Sequence, residues 1–164
     1  MEKARTHLLD SALRLLGQVG FRKWSMRGAE DAAGVPHGTA RHHFNNQNGL
    51  VAAMVEHLLA IDTPAEGESV QQQVDRWLGT EADFTRARYE LMVAAFHDSV
   101  LADKLTQSRD RLLSVLVHRG HDPSAAHHMG VALDGLVLDA LLRRSLDADS
   151  GSLQARFVDP VTPC

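Results

Sequence analysis

The stretch SMRGAEDAAGVPHGTARHHF, residues 25–44, sets a small-residue helix, a Gly-Val corner and a short polar segment side by side. The hydroxyl of Ser25 can accept a bond from the free N–H groups that open a helix. The spacing therefore predicts a helix that starts at Met26, buries Met26, Ala29 and Ala33, and stops at Gly34. Ala29, Ala32 and Ala33 are small enough for a neighbouring helix to lie close, and Gly34 permits a sharp corner. Val35 precedes a proline and is driven to extended backbone. Pro36 suits the first turn of a further helix over about 37–43, where its missing N–H costs nothing, and Phe44 closes that helix. Two helices joined by a tight glycine corner, the second short and polar, make a helix-turn-helix. His37, Thr39, Arg41, His42 and His43 are its outward candidates for contact. The amides and positive end at the start of the short helix favour phosphate.

Outward from this core the pattern stays helical. Leu8, Ala12, Leu15, Leu16 and Val19 repeat at helical spacing over residues 3–19, and Gly20 stands where a left-handed terminal residue is needed. Asn46 can cap a helix over about 47–61, with Leu50, Val51, Met54, Leu58 and Ile61 inward. Thr63-Pro64-Ala65-Glu66-Gly67 breaks the pattern. Helices are expected beyond it at about 68–79, 83–98, 101–119 and 124–146, with Pro123 near the start of the last. In that last helix Met129, Leu133, Leu136, Val137, Ala140 and Leu141 form one apolar face, and Val131, Leu138 and Leu142 a second. A helix apolar on two sides is covered on two sides: it is either the core helix of its domain or also meets another copy of the chain. The face of Met129, Leu133, Leu136, Val137, Ala140 and Leu141 is the expected dimer interface, with the helices at about 101–119 and 124–146 pairing with their mates into a four-helix interface. Gly130 and Gly135 each weaken it by roughly 1 kcal/mol, which close backbone approach would justify. The expected organisation is a helix-turn-helix domain at 1–46, a second helical domain at 47–146 and a flexible tail at 147–164.

Composition agrees with a helical reading. Hydrophobic residues make up 44% of the 164, enough for a core, while aromatics are only 5% and proline is scarce. No stretch reaches ~18 uninterrupted apolar residues, so no membrane partner is expected. The first residues mix acids with bases and do not read as a signal peptide. The lone cysteine, Cys164, suits a reducing cytoplasm. Residues 1–50 carry seven Lys and Arg against four Asp and Glu, a net +3, and the remainder carries ten against seventeen, a net −7. A basic head on an acidic body suggests two jobs in one chain.

Ten histidines raise the question of a metal. His118-x-x-His121 straddles a helix end, and the adjacent His127 and His128 point about 100° apart, so even with Asp122 the spacing is poor for zinc. No metal or other cofactor is expected. Nor is there a Gly-rich phosphate loop, a nucleophile elbow, an H-E-x-x-H helix or a paired-cysteine motif, so no catalytic residues are assigned and the chain is not read as an enzyme. Met54, Trp77, Phe84, Tyr89, Met92 and Phe96 fall on helices that would surround an interior, and His57 or His97 would add polar contact. Such a set suits a mostly apolar small molecule.

Phe21-x-x-Trp24-Ser25-Met26-Arg27, Ala29-x-x-Ala32, the Ala33-Gly34-Val35 corner, Gly38-Thr39, His43-Phe44 and the following Leu50 resemble the N-terminal domain of TetR-type transcriptional regulators over residues 4–58. The segments DFTRARYELMVAAFHDSV and ALDGLVLDALLRR resemble the C-terminal domain of one branch of that family. The resemblance implies an all-α fold: an N-terminal three-helix helix-turn-helix domain plus a C-terminal helical bundle that dimerises. It also implies a double-stranded DNA operator and a small-molecule effector as partners. Arg27 and Thr39 match positions that contact phosphates, and His43 matches one that touches the DNA backbone. Arg41 stands where the family has an aromatic residue, and could take a guanine edge worth ~1–3 kcal/mol of discrimination. Pro36 replaces a serine or threonine cap. Gln47 replaces a lysine, which makes binding less salt-dependent. The functional expectation is a ligand-responsive repressor acting as a homodimer in the cytoplasm, with the helix at 47–61 as lever. A second reading, a helical small-molecule-binding or interaction module with a vestigial DNA head, stays open because of Arg41 and Gln47.

Overall fold

A computed structural model of the chain describes residues 2–118 and 120–144. Among the described residues there are eight α-helices and no strand: α1 (Glu2–Val19), α2 (Met26–Ala33), α3 (Thr39–Phe44), α4 (Gln47–Asp62), α5 (Val70–Leu78), α6 (Ala82–Ala95), α7 (Ser99–His118) and α8 (Pro123–Arg143). They form two compact units, with divisions after Ile61, Ala82 and Ser108. The first unit holds α1–α4, α6 and the first half of α7. The second holds α5, the rest of α7 and α8. The expected tail at 147–164, with Cys164, lies outside the described residues, as do the last two positions of the helix expected to reach 146.

The first unit is built on α1. Leu8, Leu9, Ala12, Leu13 and Leu16 are all buried, and each buried leucine contributes roughly 1.5–3 kcal/mol. Against them pack Leu50, Met54, Val55 and Leu58 of α4, Phe84, Ala87 and Leu91 of α6, and Leu101 of α7. Gly20 ends α1 in the left-handed region, at φ 76°. The Trp24 indole N–H returns to the Ala12 carbonyl at 2.9 Å, and the Phe21 ring stacks on Trp24 with centroids 6.0 Å apart. Two polar ties fix α1 to its neighbours: His57 of α4 meets Asp10 at 2.6 Å, and the His7 ring lies 3.0 Å from the Ala33 carbonyl.

α6 approaches α1 so closely that a side chain is excluded between them. A Cβ on Gly17 would lie 2.0 Å from the Asp83 carbonyl oxygen. The same seam is latched by the Gln18 amide donating to the Asp83 carboxylate at 2.8 Å and by the Phe21 N–H donating to Glu90 at 2.8 Å.

In the second unit, Ser69 and Gln72 form a reciprocal capping box that starts α5, and Asp122 accepts from the Ser124 and Ala125 amides to start α8, with Pro123 in its first turn. Val74, Trp77 and Leu78 of α5 are buried, as are Ala126, Met129, Leu133, Val137 and Ala140 of α8. Arg76 bridges two carboxylates, Glu68 at 2.9 Å and Glu81 at 2.5 Å. Burial raises the pKa of Glu81, and its neighbours Asp62 and Glu68 add to the rise against the lowering pull of Arg76. Burial works against the Arg76 charge, yet the bonds and charges of Glu68 and Glu81 raise its pKa above the ordinary value.

α8 is long and apolar enough, by composition alone, to cross a bilayer. Its buried face marks it instead as the core helix of its unit, and Asp134 and Asp139 on it are ion-paired with Arg109 and Arg143. Of the face expected to meet a second copy, Met129, Leu133, Val137 and Ala140 are covered by the chain itself, and Leu136 and Leu141 are half-buried. The other apolar stripe is the open one: Val131, Leu138 and Leu142 are 52%, 40% and 74% exposed. A Cβ on Gly130 would come within 2.9 Å of a terminal methyl of Leu113, which would have to shift, whereas one on Gly135 would meet open space. Close packing inside the chain therefore bears on Gly130 and not on Gly135.

Candidate nucleic-acid interface

α2 forms for the local reasons its sequence suggests. Ser25 caps it by accepting from the Gly28 amide at 3.0 Å, and Gly34 closes it at φ 64° with amide bonds back to Asp31 and Glu30 through Gly34 and Val35. Ala29 and Ala33 are buried and Met26 packs against the core, while Ala32 faces out.

The corner differs from expectation. Pro36 does not enter a helix. It opens a turn in which the Thr39 amide donates to the Pro36 carbonyl at 3.1 Å, and α3 starts only at Thr39, after Gly38 at φ 96°. A left-handed residue is needed to turn the chain, so the helix cannot begin before Gly38. The Thr39 hydroxyl also donates to the Pro36 carbonyl, at 2.5 Å.

The amides at the head of α3 are not free for phosphate, contrary to the expectation for this helix. Glu30, on α2 and only 4% exposed, accepts through one carboxylate oxygen from Gly38 N–H at 2.9 Å and Ala40 N–H at 2.8 Å. Its neighbour Asp31 holds the His37 ring at 2.7 Å. Both acids of α2 thus reach forward and clamp the turn. Sequence reasoning missed Glu30. Its only signal was an acidic residue next to Ala29 on the inner side of a helix otherwise faced with alanine.

The remaining DNA candidates lie at the surface. Arg27, His37, Arg41, His42 and Gln47 are exposed, and Thr39 and His43 half-buried. His43 sits with its ring 5.3 Å from that of His42 and 6.0 Å from that of Phe44. Arg22 and Lys23, in the loop before α2, are exposed as well. Asn46 caps α4 by accepting from the Gly49 amide at 2.9 Å. Side chains, and not the start of α3, are what this surface offers to a polyanion.

The residues expected around a ligand differ in their settings. Met54 is wholly buried in the core of the first unit, His57 is held by Asp10, Tyr89 and Met92 are half-buried, and Phe96 is 80% exposed. Trp77 belongs to the second unit. The first unit does have an open cleft of about 270 Å³, floored by Phe21, Val51, Ala52 and Leu101 and edged by Gln47, Asn48, Asp98 and Lys104. None of the residues expected around a ligand lines it.

Comparison with known proteins gives a consistent answer for both parts of the chain. A family model described as bacterial regulatory proteins, tetR family, matches residues 8–54. A second, described as tetracyclin repressor-like, C-terminal domain, matches residues 62–162. The HTH-type transcriptional regulator BetI of Ectopseudomonas mendocina (strain ymp) is 31% identical over 96 residues, which cover 58% of this chain and 45% of BetI. The chain thus aligns with less than half the length of that relative. Among solved structures, a putative TetR-family transcriptional regulator from Rhodococcus sp. superposes with a TM-score of 0.76 at 22% identity, covering 99% of this chain and 100% of that one. The multidrug binding protein EbrR, complexed with malachite green, gives a TM-score of 0.64 at 26% identity, covering 94% and 95%.

Proposed function

The chain belongs to the TetR family of bacterial transcriptional regulators, which are not enzymes, and from that premise we propose that it is a repressor whose homodimer binds a palindromic operator and is released by a small molecule. The observation that carries this reading is the clamped α3: a short helix whose start is fixed by Glu30 and whose Arg41 and His42 side chains are left exposed. A helix held that firmly by buried bonds, with polar groups facing out, suits insertion into a major groove. Arg41 takes a guanine edge with both arms of its guanidinium. Arg27, His43 and Gln47 hold the backbone, and the Thr39 hydroxyl turns from Pro36 to a phosphate in the complex. Binding of chromosomal DNA places the protein in the cytoplasm.

Dimerisation uses the open side of α8, where Val131, Leu138 and Leu142 make an exposed apolar stripe with Gly135 between them. The likeness to EbrR, a multidrug binding protein, supports a small-molecule effector. Contact with Met54 would require the packed core of the first unit to open, at the cost of close-packed contacts. The cleft beside Gln47 and Asn48 needs no such opening, and a ligand there bears directly on the start of α4, the lever. Its volume is at the small end of ligand pockets.

Selection of bound fragments from a random duplex library, followed by gel shift at physiological salt, tests the reading. The expected result is an enriched palindrome bound ~10³-fold or more above random DNA. A folded chain that enriches nothing refutes it and favours an interaction module with a vestigial head.

A further inference from the structure

We propose that Glu30 is the positioning residue of the recognition helix: its two bonds to the head of α3 set sequence discrimination, and its charge weakens binding to all duplex DNA alike. The inference rests on the reading of α2 and α3 as a DNA-binding head. The side chain is 4% exposed, and a single oxygen, Oε1, receives both the Gly38 and the Ala40 N–H, at 2.9 and 2.8 Å. A carboxylate is an acceptor without a donor of its own, so it suits two converging amides. Nothing else caps this helix through a side chain: Gly38, at the cap position, has none, and Pro36 lacks the hydroxyl of the serine or threonine that the resemblance leads one to expect. The task of a local hydroxyl has passed to a residue on the preceding helix, so α3 is bonded to α2 and not merely capped. Loss of these bonds frees the first turn of α3 to move relative to α2.

The replacement is not neutral. A hydroxyl cap would hold the same amides without charge, whereas Glu30 brings a negative charge into a head whose net charge is only +3 over residues 1–50. One helical turn spans ~5.4 Å, and the Debye length at 0.1 M salt is ~10 Å. Any phosphate met by the first turn of α3 is therefore inside the range of this carboxylate. Repulsion from phosphates carries no sequence information, so it lowers affinity for operator and random duplex together. Geometry and charge can then be separated with two variants. Glu30→Gln keeps an oxygen at the Oε1 position and removes the charge. Glu30→Asp keeps the charge but is one methylene shorter and cannot span to both amides.

The experiment measures binding of the full chain to the selected duplex and to a random-sequence duplex of the same length, over a series of salt concentrations. Circular dichroism and amide exchange at Gly38 and Ala40 are followed in parallel. Glu30→Gln is expected to keep both amides protected, to bind both duplexes about 3- to 10-fold more tightly per head at low salt, and to leave their ratio unchanged. Glu30→Asp is expected to stay helical, to expose the two amides and to reduce the operator-to-random ratio about tenfold or more without tighter binding to random DNA. If the wild-type chain discriminates while Glu30→Asp keeps its full ratio, or while Glu30→Gln binds random duplex no more tightly, Glu30 is a structural cap only and the inference fails alone. A wild-type chain that binds no duplex removes the DNA-binding reading and this inference with it.

Discussion

Replacing Gly17 with alanine pits two physical effects of opposite sign against each other. Alanine is the better helix former by about 1 kcal/mol in a helix interior, so on propensity alone the substitution in the last turn of α1 stabilises, by up to that amount. The structure reverses this. The new methyl carbon would lie 2.0 Å from the Asp83 carbonyl oxygen, where about 3.2 Å is the least that contact allows. The obstacle is backbone, which cannot swing aside, so α1 and α6 must part by roughly 1.2 Å. A shift of that size takes the Gln18–Asp83 and Phe21–Glu90 bonds, both 2.8 Å, beyond bonding reach. Overpacking costs about 1–3 kcal/mol, and the bond from a backbone amide to a carboxylate about 1.5–3 kcal/mol more. After subtracting the gain in propensity, the variant should be less stable by about 1.5–5 kcal/mol. Urea unfolding followed by circular dichroism reads the difference directly. A midpoint equal to or above that of the wild type refutes the close approach of α1 and α6. Gly17→Ser, which places the same carbon, should behave alike.

The acidic cluster of the second unit makes stability depend on pH. Because burial raises the folded pKa of Glu81 above the ordinary value of 4.5, its contribution to stability is fully present below that value and is lost as pH rises through the folded one. Thermal unfolding across mildly acidic pH should show this slope in the wild type and a shallower one in Glu81→Gln, and equal slopes would remove the argument. On α8, Val131→Glu with Leu138→Glu should convert a dimer of twice 18.0 kDa into a folded monomer in light scattering. An unchanged dimer moves the interface off this stripe. Leu133→Glu and Val137→Glu should instead unfold the second unit, because those side chains are already buried there.

What could be read from the sequence divides along the range of the interactions involved. Ser25, Gly20 and Gly34 act on backbone within a few residues, so their caps and turns were legible, and α1, α2 and α4 start and stop close to where local chemistry puts them. Asn46, Pro123 and the apolar rows of α1 were legible for the same reason. Pro36 shows where this fails. Its fixed φ suits a helix start and a turn equally, and the choice was made by Gly38 and Glu30 together. α8 shows the limit of periodicity. Two apolar faces are visible in its sequence, yet which one the chain covers depends on α5 and the second half of α7, and no helical wheel contains them. Residue type does not fix exposure either: Met54 and Phe96 are both large and apolar, but one is fully buried and the other 80% exposed.

The helix-turn-helix itself carries the same distinction into function. Exposed side chains such as Arg27 and Arg41 can be named from sequence because the two short helices orient them. The electrostatic character of the head of α3 cannot, because it is set by a residue eight positions from one amide and ten from the other. Local rules made that end an anion site; the tertiary bonds of Glu30 fill it with a carboxylate. If the chain is the operator-binding regulator proposed above, that exchange serves a protein that must leave random DNA in order to find its operator. On that reading, rigid placement of base-reading side chains would be retained while sequence-blind attraction to phosphate would be reduced. Salt dependence weaker than the exposed basic residues alone suggest is therefore the outcome expected from joining the buried carboxylate to the proposed task of the surface above it.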